Sequence, residues 1–346
     1  MPSRRAFIAA STAGLLCPKA LLAHQLKPAP ATRPNIAEID RARILAAAAV
    51  ATPPPASRQS PDSAAFLAFS LSLPASAAAA QIDPPNAARY TGTASDQLKA
   101  WFTTPETRLP TAPTYASFEP LIDLAPLAEL TVALPFLPLD PDLLTQLKAW
   151  FAEYLSWLTE NRTALLARDA RNRHGSSWLL QASAIARFLA NDTILADCRH
   201  RFKTVTIRAQ IDANGLFQHE LTTENPYRNS LFNFDLLGGV CMALSTRFES
   251  VWDYELQDGP GMRSAVAKHA YYIRERVKWP FPSDLAHFNL LPCRRPTLVF
   301  AGRAFSEPDY VTLWRTLNPD PTDPDILRSF PIRQPLLWLT QPRPQA

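Results

Sequence analysis

The clearest periodicity in the chain begins at Leu147. Leu147, Trp150, Phe151, Tyr154, Leu155 and Leu158 fall at i, i+3, i+4, i+7, i+8 and i+11, one apolar stripe of an amphipathic helix. Its aromatic residues read as core. The stripe opens with an echo: Gln146-Leu147-Lys148-Ala149-Trp150-Phe151 repeats Gln97-Leu98-Lys99-Ala100-Trp101-Phe102 at a displacement of 49 residues. That length holds one helical hairpin with its connections. Helices are predicted at 36–51, from Ser95 to Phe102, and near 118–137, 177–190, 193–212, 230–246, 262–276 and 308–317. The breaks between them carry Asn191-Asp192, Asn214-Gly215, Asp258-Gly259-Pro260 and Trp279-Pro280, all turn formers. Alternating, strand-like runs are few. The pattern predicts an all-α fold of packed helical hairpins, with polar residues gathered at hairpin ends where a ligand crevice would lie.

The first predicted helix is closed by Pro53-Pro54-Pro55, and from there to about Pro85 the chain is rich in Ala, Ser and Pro. No element is legible in it. Residues 24–94 are accordingly read as a Pro/Ala-rich leader with a poorly defined N-terminal segment, 95–320 as the helical domain, and 321–346 as a C-terminal extension.

Composition sharpens this picture. Hydrophobic residues make up 47% of the 346 and charged residues 19%, ordinary for a globular chain with an ample core. Gly is scarce at 9 and Pro abundant at 34, which suits helices joined by proline-bearing connections. The net charge of +4 is mild and no Lys/Arg block tracks a phosphate backbone, so nucleic acid is not an expected partner. Ser3-Arg4-Arg5-Ala6-Phe7-Ile8, the apolar run to Cys17 and the small residues up to Ala23 read as a twin-arginine export signal over 1–23. Leu16 before Cys17 argues against a lipid anchor. Export predicts a periplasmic or secreted protein, in a compartment where disulfides form. Cys198, Cys241 and Cys293 then remain, an odd set without CxxC spacing that leaves at least one thiol unpaired. No other segment reaches 18 uninterrupted apolar residues, so no transmembrane segment is expected in the mature protein.

Candidate chemistry concentrates in two patches. One is Asn172-Arg173-His174-Gly175-Ser176-Ser177-Trp178; the other runs from Glu220 to Asn233, through Asn225-Pro226-Tyr227-Arg228-Asn229. Both are expected in irregular breaks between helices. Arginines and amides suit the binding of a carboxylate; imidazole and phenol suit proton transfer. Elimination at a uronic acid needs that set: neutralisation of the carboxylate beside C5, a base for the C5 proton and an acid for the departing O4. Electrostatic stabilisation of the developing enolate is usually the largest contribution, with proton transfer adding about 10²–10⁴-fold. His200, His269 and His287 show no ligand spacing, so no metal site is expected.

The first patch resembles the Asn-Asn-His-Gly-Thr-Trp signature of the alginate lyase family of polysaccharide lyases. The family's second signature, Glu-Leu-x-Arg-Thr-x-Pro-Trp/Tyr-x-Tyr-Ser-x-Phe-Asn-Leu-Asp, lies over Glu220 to Asp235 without a gap. Similarity covers roughly 95–285. The resemblance implies an incomplete α/α toroid, a periplasmic location and cofactor-free β-elimination of an acidic polysaccharide or oligouronate such as alginate. It implies His174 as base and Asn172 as a substrate-binding amide. Three positions depart from the pattern: Arg173 replaces an Asn, Thr223 an Arg, and Asn229 the catalytic Tyr. Arg173 can neutralise a carboxylate in the Asn's place, and Arg228 can stand in for the missing cation. An amide cannot donate the proton, which leaves Tyr227 as the expected acid and Asn229 as a substrate contact. Two rival readings follow. A catalytically silent carbohydrate-binding or scaffold protein fits the Asn at 229. A glycoside hydrolase of similar shape would need two opposed carboxylates, for which Glu220, Glu224 and Asp235 are candidates.

Overall fold

The computed structural model describes residues 35–50, 52, 55 and 64–340. The expected export signal, the expected leader as far as residue 34 and the last six residues lie outside the described residues. Among these the structure is helical, with two isolated β-bridges (Glu255 with Gly261, Cys293 with Asn318) and no strand. The all-α expectation holds.

Two helices form the centre. In Arg173–Phe188 every residue from His174 to Ala186 is buried, and in Pro226–Leu244 only Arg228 and Met242 are left partly exposed. A helix apolar or small on all sides must be wrapped by others, and Pro126–Ala133, Pro141–Glu160, Arg162–Asp169, Asp192–Arg201 and Pro296–Ala304 do the wrapping. The central pair runs parallel: Leu180 meets Gly239, and further along Arg187 Nη1 bonds the carbonyls of Met242 and Ala243 at 3.0 and 3.1 Å. A Cβ at Gly239 would sit 2.8 Å from side-chain carbons of Leu180 and Ile332, so glycine is what permits the close approach. Parallel packing puts both amino ends at one end of the fold. That placement is what builds the site.

The repeat has a packing meaning. Phe102 of the first copy lies 4.8 Å from Trp150 and 5.4 Å from Phe151 of the second, centroid to centroid, and Trp150 Nε1 donates to the Leu109 carbonyl at 2.9 Å. The two copies thus meet across one aromatic layer, although Lys99–Thr103 takes a π turn where its counterpart stays α-helical.

The N-terminal reading needs correction. Residues 64–94 are not poorly defined: Ala64–Ile82 and Ala87–Leu98 are helices, and the boundary drawn at residue 95 falls inside the second. Ala64–Ile82 is buried from Ser72 to Ala80, so both its faces are apolar or small and no periodic stripe betrays it. It is also long and apolar enough to cross a membrane by length and composition, but 67% of that window is buried inside the protein. The stretch 321–346, read as an extension, supplies two further helical turns, Pro324–Arg328 and Pro335–Leu339, packed on the body. Helices Arg162–Asp169 and Pro296–Ala304 were not anticipated. Cys198, Cys241 and Cys293 are all free and buried.

Candidate active site

Asn172 starts the site by ending a loop. Its backbone is extended (φ −137°) and its Oδ1 accepts the His174 amide at 3.1 Å, an N-cap of the usual kind. The helix begins earlier than the pattern suggested, at 173 rather than 177. His174 therefore sits in a first helical turn, not in an irregular break. Gly175 is required here, because a Cβ would lie 2.1 Å from the Ala170 carbonyl oxygen.

The capping oxygen does a second job. Asn172 Oδ1 also lies 3.1 Å from His174 Nδ1. Since an amide oxygen can only accept, Nδ1 carries the proton and Nε2 keeps its lone pair. Phe118 packs edge-on against the ring at 5.5 Å. His174 is 8% exposed. Burial, with Arg173 adding to it and Glu119 opposing, holds its pKa down to about 4. At neutral pH it is an uncharged, oriented base.

Arg173 is held from below. Glu220, fully buried, accepts from the Arg173 amide through Oε1 and from Nη1 through Oε2 at 2.9 Å. Burial pushes the Glu220 carboxyl up, opposed by Arg173. The carboxylate serves as a second cap on the helix and as partner of the guanidinium, an arrangement a helix amino end favours. From Glu220 the chain of contacts continues: its carbonyl accepts from Thr223 Oγ1 at 2.7 Å, and Thr223 Oγ1 accepts from Asn229 Nδ2 at 3.0 Å. Gln210 bridges the two central helices, donating to the Asn172 carbonyl at 2.8 Å and accepting from Asn233 Nδ2 at 3.0 Å. Asn172, Arg173, His174 and Asn229 are brought together by this network. Two of the three candidate carboxylates of a hydrolase are already paired: Glu220 is spent on Arg173, and Asp235 pairs at 3.2 Å with Arg295, both carboxylates fully buried.

Tyr227 goes elsewhere. It lies two residues from Asn229, about 200° around a helix, is 1% exposed, and donates its hydroxyl to the Tyr272 carbonyl at 3.1 Å between Trp279 and Phe288. Burial raises its pKa well above the ordinary phenol value. The expectation that it joins His174 as the acid finds no support in this placement. Arg228 is half-buried beside it, its amide and that of Tyr227 both donating to Asp284, at 3.0 and 2.8 Å.

Sequence reasoning missed Gln210, Asp284 and Phe118, and read Glu220 as the start of the second signature or a hydrolase carboxylate, not as the partner of Arg173. Gln210 and Asp284 act through backbone groups far away in sequence, so no local pattern announces them. Phe118 and Glu119 are expected at the start of a helix; instead Phe118 precedes a 3₁₀ turn, Glu119–Leu124, that packs against the His174 helix.

The fold and site define an all-helical toroid with polar side chains gathered at the amino ends of its two innermost helices. Residues 45–279 match the alginate lyase family, and the chain belongs to that family. A solved structure of an alginate lyase from Bacteroides ovatus matches 90% of this chain and 94% of its own, with a TM-score of 0.71 and 16% identity. At that identity the likeness establishes the shared fold. No curated protein compared with the chain matches it significantly.

Proposed function

We propose that the protein is an exported lyase that cleaves a uronate-containing polysaccharide such as alginate by β-elimination, with His174 as its proton-transfer group. The observation that carries this is the fixed tautomer of His174: Asn172 Oδ1 at 3.1 Å ties Nδ1–H and leaves Nε2 as the acceptor. Nε2 removes the C5 proton, the electron pair forms the C4–C5 double bond, and the C4–O4 bond breaks. With Tyr227 occupied, the imidazolium itself returns the proton to O4 when the two lie on one face of the sugar. Asn172, Arg173, Arg228 and Asn229 bind the substrate, the two arginines offsetting the carboxylate charge. Arg173 brings less than a free cation would, because Glu220 already faces it.

One observation favours a second reading, a silent carbohydrate-binding member of the family. Thr223 and Asn229, which stand where the family pattern has Arg and Tyr, hydrogen-bond each other and supply neither a cation nor a phenol. Incubating the mature protein with alginate and other polyuronates separates the readings. The ultraviolet absorbance of the conjugated 4,5-ene product is expected to rise. Saturable binding without that product would replace the lyase with the silent binder.

A further inference from the structure

Gln210 ends a helical run that packs against the His174 helix. The run opens as Asp192–Arg201, passes through a π turn at Phe202–Thr206 and closes with Ile207–Gln210. A π turn takes one residue more than an α turn, so the positions after it arrive about 100° further round than in an unbroken α-helix. The side chain delivered in this way is 4% exposed, and both its nitrogen and its oxygen are engaged.

The direction of that amide is fixed by its partners. Ala170 and Asn172 offer it backbone carbonyls at 3.4 and 2.8 Å. A carbonyl can only accept, so the nitrogen of Gln210 faces them and its oxygen is left for Asn233, whose Nδ2 donates at 3.0 Å. Residues 170–172 link the helix Arg162–Asp169 to the His174 helix and are extended at both Ala170 and Asn172. Gln210 grips this link at both carbonyls and moors it to the second central helix. Its nitrogen also lies 3.3 Å from where a Cβ of Gly175 would stand, so link, glutamine and first helical turn press on one another. Asn172 is thus held through its backbone by Gln210, while its side-chain oxygen holds the imidazole at Nδ1.

We propose that Gln210 is a positioning residue of the His174 site, fixing the Asn172 backbone so that Asn172 Oδ1 stays on His174 Nδ1. The proton is thereby kept on Nδ1 and the lone pair on Nε2. Without Gln210 the link 170–172 relaxes and the amide oxygen leaves the ring. His174 is then free to carry its proton on Nε2, where it cannot act as a base. The effect on catalysis rests on His174 being the proton-transfer group; the control of the tautomer does not.

Nitrogen NMR of the full chain, made with ¹⁵N-labelled histidine, tells protonated from bare ring nitrogens. The resonances lost in His174→Ala assign that residue. At neutral pH the wild type is expected to carry the His174 proton on Nδ1 alone. Gln210→Met keeps the length of the side chain and removes its hydrogen bonds. It is expected to move a measurable share of the proton to Nε2 and to slow unsaturated product formation from alginate about tenfold, the worth of one hydrogen bond. Asn233→Ala frees Gln210 from the second central helix and is expected to shift the proton the same way; it decides the matter if Gln210→Met does not fold. Thr297→Val removes a different buried bond to that helix, to the Phe234 carbonyl at 3.1 Å, and is expected to leave the tautomer as in the wild type. A wild-type proton on Nε2, a tautomer unchanged in Gln210→Met (or in Asn233→Ala should only that variant fold), or an equal shift in Thr297→Val would overturn the proposal. A shifted tautomer with an unchanged product rate would uphold it and remove His174 as the base.

Discussion

Two residues occupy the second position of the two central helices, His174 after Arg173 and Tyr227 after Pro226, and their fates are opposite. Each helix start is neutralised by a buried carboxylate: Glu220 takes the Arg173 amide, and Asp284 takes the amides of Tyr227 and Arg228. The difference lies in the residue just before. Asn172 turns its side chain inward to cap the helix and orient the imidazole. Asn225 turns its own away, accepting from the Ala286 amide at 3.2 Å. Freed from the cap, the second start leans on the loop 279–288, and Tyr227 is swallowed by Trp279 and Phe288. One electrostatic solution thus starts both the helix that carries the candidate base and the helix whose first turn is packed as architecture.

That contrast can be broken residue by residue. The largest expected loss of stability follows Glu220→Ala, which strands Arg173 and uncaps its helix. About 3 kcal/mol is expected, the low end for a broken buried pair because Arg173 is 21% exposed and can reach water. Chemical denaturation measures it. Asp284→Ala removes the acceptor of two amides and should cost about 2 kcal/mol while leaving His174 untouched. The pH dependence comes next. His174 and His269 are both held near 4 by burial, against an ordinary 6.5. Below 6.5 the unfolded chain takes up protons that the folded chain refuses until about 4. The two histidines therefore contribute a downward slope of stability as pH drops from about 6.5 to 4, opposed by the buried carboxyls of Glu129 and Asp235, which are raised to about 7 and about 6. His174→Ala should flatten part of that slope in pH-resolved denaturation. Tyr227→Phe is the mildest change, about 1 kcal/mol for its hydrogen bond to the Tyr272 carbonyl.

How much of this the sequence carried depends on the range of each interaction. The stripe from Leu147 to Leu158 faces a core on one side only, so its period is visible and the helix stands where expected. The helix Ala64–Ile82 is buried on both faces, so period vanishes and the segment reads as low complexity. In the site, Asn172, Arg173 and His174 were legible because capping and tautomer control act within two residues. Asn229 joins them through Thr223, six residues away. Tyr227 was misplaced because its orientation is set by Asp284 and Tyr272, 57 and 45 residues downstream. No motif register encodes that.

The most direct test measures the rate of unsaturated product formed from alginate by the wild type, His174→Ala and Tyr227→Phe, side by side. An imidazole acting alone predicts a loss of about 10²–10⁴-fold for the first variant and a rate close to wild type for the second. A collapse in Tyr227→Phe with His174→Ala still active would contradict it.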